Sequence, residues 1–218
     1  MNSLDLIVEK VLKKIEEARY IPLEASARHV HLSSQHVDTL FGSEYLLKKS
    51  RDLSQPGQYL CSERVDLIGP KDIIKNVAIL GPARRKTQIE VSQTDCMTLG
   101  INAPLRLSGN LEGAETLFIR YNGKIIEAPE STIVAKRHIH MTPDDGIRFG
   151  VMDKQIVKIR VHSQRPLIFE DVIVRIVESS RLAMHIDYDE ANACGFTEGV
   201  LGEIIHAQEV YHGIFEQG

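Results

Sequence analysis

A His-x-His tripeptide occurs twice in this chain, inside two segments that match position by position: Arg28-His29-Val30-His31-Leu32-Ser33 and Arg137-His138-Ile139-His140-Met141-Thr142. On a strand, residues two apart share a face, so each tripeptide sets two imidazoles side by side. The residue between them is apolar in both copies and turns the other way, into a core. Ser33 and Thr142 follow as helix N-caps, the second reinforced by Pro143 at the first helical position. Each copy then reaches a Phe-Gly stop, Phe41-Gly42 or Phe149-Gly150. The repeated unit is strand, histidine pair, helix start and glycine stop.

The repeat extends beyond the histidine pairs. Glu90-Val91-Ser92-Gln93-Thr94-Asp95 aligns with His185-Ile186-Asp187-Tyr188-Asp189-Glu190, and each segment has a glycine ten residues after its first position, Gly100 and Gly195. Glu90 and His185 then hold equivalent places. One half offers His29, His31 and Glu90; the other offers His138, His140 and His185. Three donors with an open position is the pattern of a catalytic transition-metal site, whereas a structural site closes with a fourth protein ligand. A single His-x-His on a strand is usually incidental; two copies in register with a third donor are not. His36, His162, His206 and His212 lack such partners and read as surface or hydrogen-bonded histidines.

At 218 residues the chain is long enough for one large or two small domains, and its 43 % hydrophobic, 26 % charged composition is that of a globular protein. The net charge of −4 gives no global attraction to nucleic acid, so an anionic substrate needs local basic residues. Cys61, Cys96 and Cys194 are odd in number and show no CxxC spacing, which fits a reducing cytoplasm rather than a disulfide framework or a zinc ribbon. No apolar run reaches the roughly 20 residues that span a bilayer, and no signal-peptide core opens the chain. Neither a nucleic-acid nor a membrane partner is expected.

Residues 3–18 read as an amphipathic helix with Leu4, Ile7, Val8, Val11, Leu12 and Ile15 on one stripe, ended by Arg19-Tyr20-Ile21-Pro22. It lies outside the repeat, and either packs on its own domain or docks on a partner. Short strands are expected at Ile73–Leu80, Thr87–Val91, Leu117–Tyr121, Ile125–Ile126, Ile133–Ala135, Ile156–Val161, Leu167–Val177 and Leu182–Ile186. Tyr121-Asn122-Gly123-Lys124 is a type I′ hairpin signal. Together these predict a mainly β chain of small antiparallel barrels with short helices. Residues 43–63 are the least regular stretch. The organisation is 1–18 as the N-terminal helix, 19–130 as the first repeat and 131–218 as the second.

A second chemically loaded segment is Leu80-Gly81-Pro82-Ala83-Arg84-Arg85-Lys86-Thr87-Gln88-Ile89-Glu90. A Gly-Pro turn offers three basic residues just before a candidate ligand. A solvated charge run is the plain reading; proximity to Glu90 favours an anion site, because arginine suits bidentate phosphate recognition.

Four motifs in order resemble the phosphate propanoyltransferase (phosphotransacylase) family: Ala25-Ser26-Ala27-Arg28-His29-Val30-His31-Leu32-Ser33; Gly81-Pro82-Ala83-Arg84 with Thr87-Gln88-Ile89-Glu90; Arg137-His138-Ile139-His140-Met141-Thr142-Pro143; and His185-Ile186-Asp187 with Asp189-Glu190-Ala191-Asn192-Ala193. The resemblance runs from about Ile21 to His206. It implies two six-stranded barrels not colinear with the sequence, the first short strand joining the C-terminal half. It implies reversible conversion of acyl-CoA and phosphate, propanoyl or acetyl, to acyl phosphate and CoA. It implies zinc at His29, His31 and Glu90, and a second metal, whose identity it leaves open, at His138, His140 and His185. It gives Arg84 the catalytic role of phosphate-binding arginine and places CoA at Ala25, Ser26, Ala27, Lys71 and Asn192. It also implies a cytoplasmic setting, inside a bacterial microcompartment for propanediol degradation where the N-terminal helix docks on shell or core proteins, and it is compatible with a homo-oligomer. One departure is Ala78, where the family often has arginine; Lys75 is the nearby cation.

The reaction suits these residues. CoA must leave as a thiolate, a soft ligand that zinc accepts. Phosphate carries about two negative charges and must be held against the carbonyl, a task for Arg84 and a second metal. A Glu in one triad and none in the other fits one thiolate centre and one phosphate centre. Cys96 as an acyl-enzyme nucleophile is the weaker reading beside a small buried hydrophobe, because no base adjoins it in sequence. Asp187-Tyr188-Asp189 fails as a calcium loop, since the sixth position is Asn192 rather than glycine. Two alternatives remain open: a two-metal hydrolase with water as nucleophile, and a metal-storage or scaffold protein working through residues 3–18.

Overall fold

The structure, a computed structural model, describes residues 19–206. The helix expected over residues 3–18 lies outside the described residues, as does His212. In chain order the elements are β1 (Tyr20–Ser26), β2 (His29–His31), α1 (Ser34–Phe41), β3 (Lys49–Asp52), β4 (Tyr59–Ile68), β5 (Ile73–Gly81), β6 (Gln88–Val91), α2 (Gln93–Leu99), β7 (Leu105–Arg106), β8 (Glu115–Tyr121), β9 (Lys124–Ala135), β10 (His138–Met141), α3 (Pro143–Phe149), β11 (Ile156–His162), β12 (Leu167–Ile176), β13 (Ala183–Asp187), α4 (Tyr188–Cys194) and β14 (Leu201–Ile205).

Two compact units result. One comprises residues 19–24, 138–185 and 192–206, the other residues 25–137 and 186–191. In the first, six strands close in the order β1-β13-β10-β12-β11-β14. In the second, β4-β5-β2-β6-β9-β8 form the ring, because β8 pairs with both β9 and β4; β3 and β7 are added outside it. The first strand thus completes the barrel built from the C-terminal half. The repeat division at Ser131 falls inside β9, where Ser131 and Thr132 are buried, so sequence repeat and compact unit do not coincide.

The barrels are mixed rather than wholly antiparallel. Parallel pairs are β2–β5, β6–β9 and β10–β12. A parallel partner requires a crossover, and the short helices with their following strands supply it: α1, β3 and β4 lie between β2 and β5, while α3 and β11 lie between β10 and β12. Each histidine strand therefore has one parallel neighbour and one antiparallel neighbour.

Local chemistry fixes the repeated unit. Ser33 and Thr142 cap α1 and α3, accepting from the backbone N–H of His36 and Asp145, and Gly42 and Gly150 end these helices. Asn122 and Gly123 both have positive φ, 46° and 81°, as a type I′ turn requires. Val30 and Ile139, between the paired histidines, are fully buried. Burial of side chains of this size is worth about 1.5–3 kcal/mol each, and anchors each histidine strand with its imidazoles on the opposite face. Gly202 in β14 is set by crowding, since a Cβ there would lie 2.7 Å from Ile159 and 2.9 Å from Leu23.

Candidate active site: two centres of three donors

In each barrel the third donor stands directly opposite the first histidine of the pair. On the antiparallel ladder β2–β6, His29 faces Glu90; on β10–β13, His138 faces His185. The donor atoms of His29, His31 and Glu90 all lie within 4.8 Å of one another, as do those of His138, His140 and His185. Nε2 of His29 is 3.5 Å from Oε2 of Glu90, and Nε2 of His138 is 3.0 Å from Nε2 of His140. A tetrahedral zinc with ligands near 2.0–2.1 Å separates its donors by about 3.3 Å. Both sets fit such an ion.

The Glu90 centre is braced from outside. Nδ1 of His29 donates to the carbonyl of Ala27 at 2.8 Å, and Nδ1 of His31 to that of Leu80 at 3.2 Å. Both rings thereby turn Nε2 inward as the electron-pair donor, the arrangement that fixes ligand tautomers in metal sites; that of His29 faces Glu90, and that of His31 takes Nη2 of Arg84, which a metal there would displace. Gln88, two residues before Glu90 and on its face of β6, donates through Nε2 to Oε1 of Glu90 at 2.5 Å and to Oγ of Ser108 at 2.8 Å. Its Oε1 accepts from the N–H of Gly109 at 2.8 Å. Burial opposes charge on Glu90 and His29 alike, yet their mutual attraction wins: Glu90 is held well below the usual carboxylate range and His29 is raised above 6.5. Burial, with His29 and Arg84 beside it, pushes His31 down to about 3.

The His185 centre has no carboxylate among its three donors. Nε2 of His185 is buried and makes no hydrogen bond among the described residues; Oε2 of Glu24 lies 3.2 Å away without hydrogen-bond alignment. A buried ring nitrogen without an aligned hydrogen bond suits an electron-pair donor to a metal. Burial, with His138 and His185 as neighbours, pushes His140 down to about 3.

Of the three basic residues after the Gly-Pro turn, Arg85 and Lys86 are exposed and Arg84 is half-buried. Nη2 of Arg84 lies 2.8 Å from Nε2 of His31. Its backbone N–H donates to the carbonyl of Leu32 at 2.8 Å, and its carbonyl accepts from Ser34 at 3.3 Å. The turn is thus stitched to the end of β2 and the start of α1. Thr87 adds a tie, its Oγ1 accepting from the N–H of Ser33 at 2.8 Å and contacting Nδ1 of His36 at 2.7 Å.

The residues where CoA was expected come from β1, the segment after it, the β4–β5 turn and α4. Ala25 and Ser26 end β1, and Ala27 follows with its carbonyl on His29. Lys71 is exposed in the β4–β5 turn, its Nζ donating to the carbonyl of Met97 at 3.2 Å. Asn192 is exposed in α4, its carbonyl accepting from Gly195 at 3.3 Å. Ala78 pairs in register with His29 on one side and with Arg64 on the other, so Arg64 is the cation in that row; Lys75 is exposed three residues earlier. Nη1 of Arg64 donates to the carbonyls of Cys61 and Glu63.

Sequence reasoning missed Gln88, Ser108, Glu24 and Arg64. Gln88 carried a signal, its two-residue spacing from Glu90; the other three reach their places through strand pairing. Cys96 is fully buried in α2, where desolvation raises its thiol pKa, as suits a small core residue. Asp187 is an N-terminal cap, its Oδ1 accepting from the N–H of Glu190 at 2.8 Å. No helix among the described residues is long and apolar enough to cross a membrane.

Residues 22–197 match the family model for phosphate propanoyltransferase. The chain is 52 % identical over 204 residues to a phosphate propanoyltransferase of Clostridioides difficile, covering 94 % of this chain and 98 % of that protein. It is 50 % identical over 207 residues to one from Enterococcus faecalis, with the same coverage. It is 45 % identical over 199 residues to one from Thermotoga maritima, covering 91 % and 95 %. With its repeated donor sets and Arg84 turn in the order these motifs require, the chain belongs to the phosphate propanoyltransferase family, a family of acyltransferases.

Proposed function

We propose that this protein is a metal-dependent phosphate acyltransferase that interconverts a short-chain acyl-CoA and phosphate with acyl phosphate and CoA, the acyl group being propanoyl or acetyl. The observation that carries the reading is the pair of three-donor centres at matching ladder positions, with Arg84 hydrogen-bonded at one of them. In the forward direction a phosphate oxygen attacks the thioester carbonyl, the carbon–sulfur bond breaks, and CoA leaves as its thiolate.

His29, His31 and Glu90 would hold a zinc ion, and His138, His140 and His185 a second metal. When bound, these ions supply a soft acceptor for the thiolate and positive charge for phosphate. The chain's own part is positional. The carbonyls of Ala27 and Leu80 keep the imidazoles of His29 and His31 aimed inward. Gln88 holds the Glu90 carboxylate. Arg84 offers a planar fork that grips phosphate at the edge of the Glu90 centre and offsets its repulsion from the developing thiolate. The His185 centre, built from neutral donors, leaves more positive charge for an anion. Ala25, Ser26, Ala27, Lys71 and Asn192 remain the proposed CoA contacts, and residues 1–18 a proposed docking segment for a microcompartment. Deleting them is expected to leave turnover intact and change association state or encapsulation.

The test is release of CoA thiol from propanoyl-CoA and acetyl-CoA, each with and without phosphate. Release that requires phosphate and is matched by acyl phosphate supports the transferase. Equal release without phosphate would make the protein a thioester hydrolase.

A further inference from the structure

The arginines that open the two repeated motifs make matching ion pairs that the proposed reaction does not use. Arg28 precedes His29, and its Nε and Nη2 meet Oδ2 and Oδ1 of Asp95 at 2.9 and 2.8 Å. Arg137 precedes His138, and its Nη1 lies 2.6 Å from Oε1 of Glu190. The two carboxylates are equivalent: Asp95 stands five residues after Glu90, and Glu190 five residues after His185.

Each carboxylate also caps the helix that follows the third donor's strand. The N–H of Ser92 donates to Oδ2 of Asp95 at 3.1 Å, and the N–H of Asp187 to Oε2 of Glu190 at 3.0 Å. In return the N–H of Asp95 donates to Oγ of Ser92 at 3.3 Å, and the N–H of Glu190 to Oδ1 of Asp187 at 2.8 Å. One carboxylate in each half thus grips both the histidine strand and the turn after the facing strand.

Position gives the device its meaning. His29 faces Glu90 and His138 faces His185, so each arginine lies one ladder step beyond the pair that builds a centre. The histidine strands are short, three residues in β2 and four in β10, so few backbone hydrogen bonds hold their register. A slip of one residue would turn every donor to the other face. A charge-assisted arginine–carboxylate contact adds directional restraint at that end of the ladder. Asp95 is only 4 % exposed while Arg28 is 40 % exposed, so solvent screens part of the attraction, and the two-point geometry on a buried carboxylate is what the pair contributes.

We propose that Arg28 and Arg137 are positioning residues: through Asp95 and Glu190, each sets the register of the two strands that bring one group of three donors together. This rests on the metal reading of the centres. The test is zinc titration against a competing chelator, with His31→Ala and His140→Ala proteins assigning each binding phase to a centre. Arg28→Gln and Asp95→Asn should weaken the Glu90 centre about 10–100-fold and leave the His185 centre unchanged; Arg137→Gln should do the reverse. Arg28→Lys should recover part of the loss, and cobalt loaded at the affected centre should show an altered visible spectrum. If Arg28→Gln does not fold without metal, Asp95→Asn, which keeps the side-chain shape, carries the test. A wild-type protein with two zinc ions whose variants weaken both centres alike, or neither, would overturn this inference alone. A wild-type protein that binds no zinc would overturn it together with the metal reading.

Discussion

At the Glu90 centre the third donor is a carboxylate held by Gln88, with an arginine on the neighbouring imidazole; at the His185 centre the same ladder position carries an imidazole whose Nε2 has no hydrogen bond among the described residues. The backbone device is shared: a short strand with two histidines, an antiparallel partner bringing a third donor opposite the first, and a parallel partner on the other side. The electrostatics are not. One centre counts a carboxylate among its three donors and has Arg84 beside it; the other has three imidazoles, with Glu24 outside the set beside His185. One scaffold used twice thus provides two environments, differing by a carboxylate, a glutamine and an arginine.

The largest effects should come from removing a donor at either centre. His31→Ala and His140→Ala are each expected to abolish nearly all phosphate-dependent thiol release. If His140→Ala kept substantial turnover, the two centres would not share the reaction, and the comparison would reduce to one active centre and one idle copy.

Arg84 marks the difference in charge most sharply. A bidentate contact to phosphate is worth roughly 1.5–3 kcal/mol, or about tenfold to a hundredfold in binding. Arg84→Ala should raise the KM for phosphate by that factor, or lower kcat if the contact tightens in the transition state, with little change in KM for acyl-CoA. Arg84→Lys should recover only part. The exposed Arg85 is the control, and equal losses in Arg85→Ala would reduce the segment to a diffuse basic patch.

A smaller effect is expected at Gln88, which has no role at the His185 centre. Gln88→Leu should weaken zinc at the Glu90 centre by about tenfold, measured by chelator competition. An unchanged affinity would mean that Glu90 is oriented by the ladder alone.

The centres also set the acid sensitivity of the metal-free protein. His31 and His140 both fall from 6.5 to about 3, so the unfolded chain binds more protons than the folded one between these values. The stability they contribute is present above pH 6.5 and lost as pH falls toward 3. Glu90, held low, adds the same sign below its ordinary 4.5. His29, raised, acts oppositely, and its contribution fades as pH rises through its folded value. Urea unfolding of chelator-treated protein should therefore show stability falling below pH 6.5, with a shallower slope in His31→Ala and His140→Ala. A slope unchanged by both substitutions would mean the rings are not buried neutral.

Much of this site was legible because it is local and repeated. The two-residue period of His29-Val30-His31 states which face each ring takes, and the repeat alone aligned Glu90 with His185. What was not legible depends on partners. Strand β4 escaped notice in the irregular stretch because Glu63, a charge, occupies an inward position; it is tolerated since Tyr45 Oη donates to it at 2.7 Å and the Lys48 N–H at 3.1 Å. Strand β9 read as two pieces because Pro129 and Glu130, the latter at φ 43°, interrupt the pattern, yet the strand continues through an irregular register there. Strand β14 was hidden by Gly202, which only the crowding of Ile159 and Leu23 explains. Parallel pairing has no sequence signature, so the barrels were expected to be antiparallel throughout.

The proposed chemistry requires each of the two equivalent sets of three donors to hold a metal. Elemental analysis of the purified protein and of its His31→Ala and His140→Ala variants tests it most directly. Two metals per chain are expected in the wild type, with zinc at the Glu90 centre, and one in each variant. A wild type without metal, or variants that keep both, would contradict it.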